Sequence, residues 1–225
     1  MKDGRTTTRL AMAAAAKLGL NPTKARPHVL MLFAQLLASE NQYIFTLNHE
    51  ENRRIAPGIG RGLLDRDAFV ASGMALGVLP VPVIGGKEYF TAAAPEFWPD
   101  PAVFGEAAAA PGVLSETQAL ESIYWGDHSL KTNTGIRLDK NPNLLFRTVH
   151  TTQGSADTAN EFHDFIKPIG ASVRFGGGDE NEITVRINCP DKTLIGGPEA
   201  RNNYLMILLD GAIVKGATEK IRVAR

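Results

Sequence analysis

Tyr204-Leu205-Met206-Ile207-Leu208-Leu209, closed by Asp210-Gly211, is the stretch on which the fold turns. Six apolar residues in succession present apolar side chains to both faces of an extended strand, so this strand belongs at the centre of a core. Asp210-Gly211 then signals either a tight hairpin or a bulge. Outward from it, the period of two recurs. Ile183, Val185 and Ile187 alternate with Thr184, Arg186 and Asn188, and Tyr43, Phe45 and Leu47 alternate with Ile44 and Thr46, the pattern of half-buried strands. Further strands are predicted at 129–132, 136–139, 144–150, 169–175 and 212–214, and the spacing of about 8–12 residues between turn signals is that of a sandwich or barrel. Asp67 to Leu79 reads as one long strand, with Gly73 and Gly77 marking bulges. The sequence therefore predicts a mainly β protein built as an antiparallel β-sandwich.

Two regions break the period. At the N-terminus, Thr6-Thr7-Thr8 can cap an alanine-rich helix through Leu10–Leu18, which Gly19 and Asn21-Pro22 stop. After Pro27, the run from His28 to Leu37 is apolar nearly all round and predicts a second, buried helix. Residues 1–40 are thus expected to form a basic and apolar helical arm, and residues 41–225 the sandwich. Within the sandwich, residues 80–112 are rich in Pro, Gly and Ala and form a long loop carrying Phe90, Phe97, Trp98 and Phe104. Ser115-Glu116-Thr117-Gln118 has the form of a capping box opening one short internal helix through Trp125.

Charge and chemistry narrow the function classes. The chain has 24 basic and 24 acidic residues, but Met1–Arg26 holds Lys2, Arg5, Arg9, Lys17, Lys24 and Arg26 against Asp3, which is +5 there and −5 over the rest. A short cationic helix of this kind contacts nucleic acid, an anionic membrane or an acidic neighbour, or else is a frayed, solvated terminus. Its alanine- and threonine-rich faces bury little, so it needs a partner to stay ordered. The single Cys189 excludes an intramolecular disulfide and a cysteine-based zinc cluster. No stretch resembles a signal peptide or reaches the length of about 20 apolar residues that spans a bilayer.

Gly58-Ile59-Gly60-Arg61-Gly62 lacks the lysine and following helix of a phosphate loop and reads as a flexible turn. Gly176 to Asn181 lacks the ligand order of a calcium loop and reads as a solvated hairpin. The histidines at 28, 49, 128, 150 and 163 form no metal-binding pair, and no serine sits in a nucleophile elbow. The expectation is a protein that is not an enzyme and has no cofactor.

Leu63-Leu64-Asp65-Arg66-Asp67-Ala68-Phe69-Val70-Ala71-Ser72-Gly73, Leu120-Glu121-Ser122-Ile123-Tyr124-Trp125-Gly126 and Asn203 through Gly211 together resemble the jelly-roll capsid proteins of tailless, icosahedral, internal-membrane bacteriophages. The resemblance implies a jelly-roll connectivity, which periodicity alone does not specify, and a self-assembling shell protein made in the host cytoplasm and resident in the virion. It implies contacts with copies of itself and with other capsid proteins; the Pro- and Gly-rich loop, with too little regular structure to fold on itself, is expected to supply Phe90, Phe97, Trp98 and Phe104 as anchors on a neighbour. It also implies a basic arm pointing inward to the viral genome or internal membrane. Major capsid proteins of the family often contain two fused jelly rolls, whereas residues 41–225 suffice for one with long loops. The alternative reading is a carbohydrate- or protein-binding sandwich module of a virion spike or adhesin, with Trp98, Tyr124 and Trp125 as a platform. A cupin-like metal enzyme is a third reading, against which the unpaired histidines count.

Overall fold

The computed structural model describes residues 4–37, 42–93, 127–131, 137–140, 166–176, 182–186 and 201–217. In them lie helices α1 (Gly4–Lys17) and α2 (His49–Ile55) and strands β1 (Ala25–Gln35), β2 (Gln42–Thr46), β3 (Ala68–Ile84), β4 (Lys87–Glu88), β5 (Asp127–Lys131), β6 (Arg137–Lys140), β7 (Lys167–Gly176), β8 (Glu182–Arg186) and β9 (Arg201–Val214). The strands form two sheets. Sheet A has the order β1-β9-β3, with β7 and the short β4 along the far side of β3, and sheet B has the order β2-β8-β5-β6. Every strand pairing is antiparallel.

Setting aside the small β4 hairpin, the pairings nest. β1 pairs with β9, β2 with β8, β3 with β7 and β5 with β6, so the chain folds like one long antiparallel ribbon rolled up on itself. The roll is closed by β9 against β3 in one sheet and β8 against β5 in the other. This nesting of eight strands, with each sheet drawing alternately from the two halves of the ribbon, is the jelly roll.

β9 is the central strand that its sequence predicts. It is hydrogen-bonded to β1 from Tyr204 to Val214 and to β3 along its whole length. One set of its side chains, including Leu205, Ile207 and Leu209, packs with Leu30, Phe45 and Phe69 between the two sheets. The alternate set faces away from sheet B, where Tyr204, Met206 and Leu208 join Phe33, Leu79 and Phe90, while Ala212 and Val214 join α1. Sheet A is therefore apolar on both faces because the chain covers both. Asp210-Gly211 makes no hairpin, and strand β9 runs straight through it.

Opposite that dipeptide the register of β3 shifts between Ala71 and Gly73, which inserts Ser72 as a bulge. The insertion has a visible purpose. Phe69 and Ala71 before it and Met74 and Val78 after it all enter the same inter-sheet core, which a regular alternation would not allow. Gly211 is obligatory here, because a Cβ on it would collide with the Val70 carbonyl.

The expected helix over His28 to Leu37 is corrected: this segment is strand β1, an edge of sheet A. A strand buried on both faces produces the same unbroken apolar run as a buried helix, and pairing with β9 overrides the local preference. The boundary drawn at residue 41 moves accordingly, since β1 is integral to the sandwich. Leu30 and Leu32 face the inter-sheet core and Phe33 the opposite side. Part of the loop expected over residues 80–112 is also ordered, as the end of β3, strand β4 and a 3-10 turn at Phe90–Ala92. Residues 94–112, the capping box at Ser115 with its helix, and the strand expected at 144–150 lie outside the described residues.

Candidate assembly surfaces

The N-terminal helix is not a free arm. Ala11 and Ala15 lie one turn apart on the same side of α1 and are wholly buried against Ala25, Ala68, Val70, Ala212 and Val214 of sheet A. Small residues on both partners let helix and sheet approach closely, so the weakly apolar helix finds its partner in its own chain. Its C-terminus is closed by Gly19 at φ +75°, with the Leu20 amide donating to the Ala15 carbonyl at 2.9 Å. Arg174 of β7 adds a hydrogen bond to the Leu18 carbonyl at 3.0 Å, fastening helix to sheet across 156 residues of sequence.

The cations singled out in the sequence are placed by this docking. Arg9 and Lys17 on α1 are exposed, as are Lys24 and Arg26 on the turn into β1. Arg26 holds the turn by donating to the Thr23 and Ala25 carbonyls. The backbone of Arg5 lies within α1, and Lys2 is outside the described residues.

At the opposite end of sheet A, β3 turns into β4 through Gly85 and Gly86, both with positive φ (58° and 76°), the conformation of a two-residue hairpin turn. Ile84, 64 % exposed, and Tyr89 stand out at this tip. Beneath it, Glu88 accepts hydrogen bonds from the Tyr204 hydroxyl at 2.7 Å and from Asn202 at 2.6 Å. Burial first, and then the hydrogen bond and charge of Glu88, push the Tyr204 hydroxyl pKa well above its ordinary value. Phe90, expected as an anchor on a neighbouring copy, is instead buried in its own chain, edge-on to Tyr204 with ring centroids 5.0 Å apart. Covering the outer face of β9 is what its ring does. Phe97, Trp98 and Phe104 lie outside the described residues.

The open side of the sandwich next to β1 and β2 is closed by α2 and the glycine cluster. Arg61 exchanges backbone hydrogen bonds with Met31 of β1 at 3.2 and 3.3 Å, and the Leu63 amide donates to the Leu47 carbonyl at the end of β2 at 2.6 Å. A Cβ on Gly60 would meet the Asn52 carbonyl, and one on Gly62 the Asn48 carbonyl at 2.6 Å. These glycines thus serve close packing, and the segment is a strap that caps a sheet edge. Helix α2 escaped the sequence reading although its signal was present: Asn48 caps it by accepting from the Glu51 amide at 3.1 Å, with Glu50 and Glu51 in the first turn and Arg53 and Arg54 in the last.

Of the titratable groups, Asp67 is buried and accepts from the Gly216 amide at 3.1 Å. His28 stands edge-on to Phe69, and its pKa is pushed below 6.5 by burial, then by Arg61 and Lys215, with Asp67 pulling the other way. Among the described residues no three His, Cys, Asp or Glu converge to hold a metal ion, and no helix is long and apolar enough to cross a membrane.

By strand order the molecule belongs to the class of single jelly-roll sandwiches. No protein-family model, curated protein or solved structure matches it.

Proposed function

We propose that this chain is a structural subunit of an icosahedral viral shell, assembling with copies of itself, and that it works in the virion after synthesis in the host cytoplasm. The observation that carries the reading is the nested strand order β1-β9-β3-β7 facing β2-β8-β5-β6, an architecture used for capsids as well as for lectins and cupins. Among those uses, a building block fits the interior best. Among the described residues, Leu, Phe, Tyr, Val and Ile side chains of sheet A and β2 pack against one another between the sheets, as in a rigid core.

The distribution of exposed apolar residues adds support. Ile84 and Tyr89 at the hairpin tip and Leu37 after β1 lie at the same end of sheet A, where β1 leaves it and β3 turns back. Contacts with other copies are assigned to this end and to the exposed side of β2, where Ile44 faces outward.

Purified full-length chain examined by light scattering and electron microscopy across concentrations tests the proposal. Rings, sheets or closed particles that are lost in Ile84→Lys/Tyr89→Lys support it. A chain that stays monomeric alone and in the presence of its co-expressed neighbours overturns it.

A further inference from the structure

The register of sheet A brings to one place cations that lie far apart in sequence. Ala25, Val214, Ala68 and Gly176 form one row across β1, β9, β3 and β7. Within two residues of that row stand Lys24 just before β1, Arg26 on β1, Lys215 after β9, Arg66 before β3 and Arg174 on β7, and Arg174 in turn touches the end of α1 beside Lys17. All six are exposed. The acids facing them among the described residues are Asp65, exposed, and Asp67, buried and engaged with the Gly216 amide. Three of these cations, Arg66, Arg174 and Lys215, come from the body of the chain that is acidic as a whole.

We propose that this end of the sandwich is a binding surface for the phosphate backbone of nucleic acid, built jointly by α1, β1, β3, β7 and β9. Its geometry suits a polyanion read by charge and not by sequence, because several exposed cations are spread over separate elements. The same geometry argues against a lipid surface. A helix lying in a membrane interface inserts its apolar face, whereas the apolar face of α1 is already spent on sheet A, where Ala11 and Ala15 are wholly buried. What α1 turns outward is Arg9, Ala13, Ala16 and Lys17, with Leu10 its single large exposed apolar residue.

For its biological sense the proposal rests on the shell reading, but its test uses unassembled protein. A fluorescent single-stranded oligonucleotide of mixed sequence is titrated with the full chain, held dilute enough to be monomeric by light scattering. The same is done with the variant Lys17→Gln/Lys24→Gln/Arg66→Gln/Lys215→Gln, which spares Arg174 because of its structural hydrogen bond. Binding is expected to weaken by at least about ten-fold, with a salt dependence shallower by up to about three in log–log slope, since each lost phosphate contact on a single strand removes about 0.7. The two double variants, Lys17→Gln/Lys24→Gln and Arg66→Gln/Lys215→Gln, should each show part of the loss, which keeps the test decisive if the quadruple variant fails to fold. Arg53→Gln/Arg54→Gln on α2, where Glu50 and Glu51 offset the charge, should bind as wild type. Equal binding by wild type and by the double variants overturns the proposal. So does tighter binding to phosphatidylserine vesicles than to the oligonucleotide, which would make the surface a membrane contact. Assembly can fail in either variant set without touching this result, so the two readings stand or fall separately.

Discussion

Sheet A and sheet B solve the same problem in opposite ways. In β9 of sheet A both sets of alternating side chains are buried, one against sheet B and the other beneath α1, the 3-10 turn at Phe90 and Ile166. In β2 of sheet B the alternation is plain, with Tyr43 and Phe45 buried while Gln42 and Ile44 are exposed. The lesson is that an apolar run and an alternating run in one chain describe the same kind of strand, and differ only in how many faces the rest of the chain covers. Sheet A spends its own elements on becoming a slab. The β2 side of sheet B keeps a face for solvent or a partner.

The comparison is broken most severely by charge. Leu205→Asp and Leu208→Asp point to opposite faces of β9, and both should abolish cooperative folding in thermal denaturation, because each buries an unpaired carboxylate. In β2 the same pair of changes should split: Phe45→Asp is equally destructive, whereas Ile44→Asp stays within about 0.5 kcal/mol of wild type. If Leu208→Asp is tolerated, the outer face of sheet A is not covered as described. Next in size are the glycines. Gly211→Ala drives a methyl group into the Val70 carbonyl in the middle of sheet A and should cost more than about 3 kcal/mol in urea denaturation, among the exceptional single-residue losses. Gly85→Ala, where nothing lies within 4 Å of a new Cβ, should cost only the left-handed strain of about 1–2 kcal/mol. Comparable losses at the two sites would remove the distinction between a packed bulge and a solvent-exposed turn.

A smaller effect is expected from Asn48→Ala, which removes the cap of α2 and should lower stability by about 1 kcal/mol. The gentlest test is pH. His28 has a folded-state pKa below 6.5, so as pH falls through that value the unfolded chain takes up a proton that the folded chain resists. Stability should therefore decline as pH drops below 6.5 and down to the lowered folded pKa, and His28→Gln should flatten that decline in urea titrations between pH 7 and pH 5. An unchanged acid slope in the variant would show that His28 is not held at the mouth of the core.

Much of this fold was legible. The alternation at Tyr43-Phe45, the strand at Ile183-Val185, the central placement of Tyr204–Leu209 and the bulge near Gly73 stand where the sequence put them, whereas β3 keeps its register through Gly77, where the sequence predicts a second bulge. What periodicity could not supply was the number of covered faces. Val29-Leu30-Met31-Leu32-Phe33 reads as a helix in the sequence because a strand covered on both sides has no period of two to read. The same ambiguity hid the role of the arm, since nothing in Ala11 and Ala15 announces that Ala68 and Ala212 await them across the fold. The cationic end was half visible as the +5 of the first 26 residues. Its other half, Arg66, Arg174 and Lys215, was hidden because only strand register brings those residues beside Lys24 and Arg26.

Amide hydrogen exchange on the intact chain tests the double covering of sheet A most directly, because protection there depends on both faces being closed. The amides of β9 and the paired half of β3 should exchange only through global unfolding, those of α1 from Ala11 to Leu18 should be protected by docking, and those of β2 should exchange faster than β9. Free exchange throughout α1, together with β9 exchanging as fast as β2, would contradict the account.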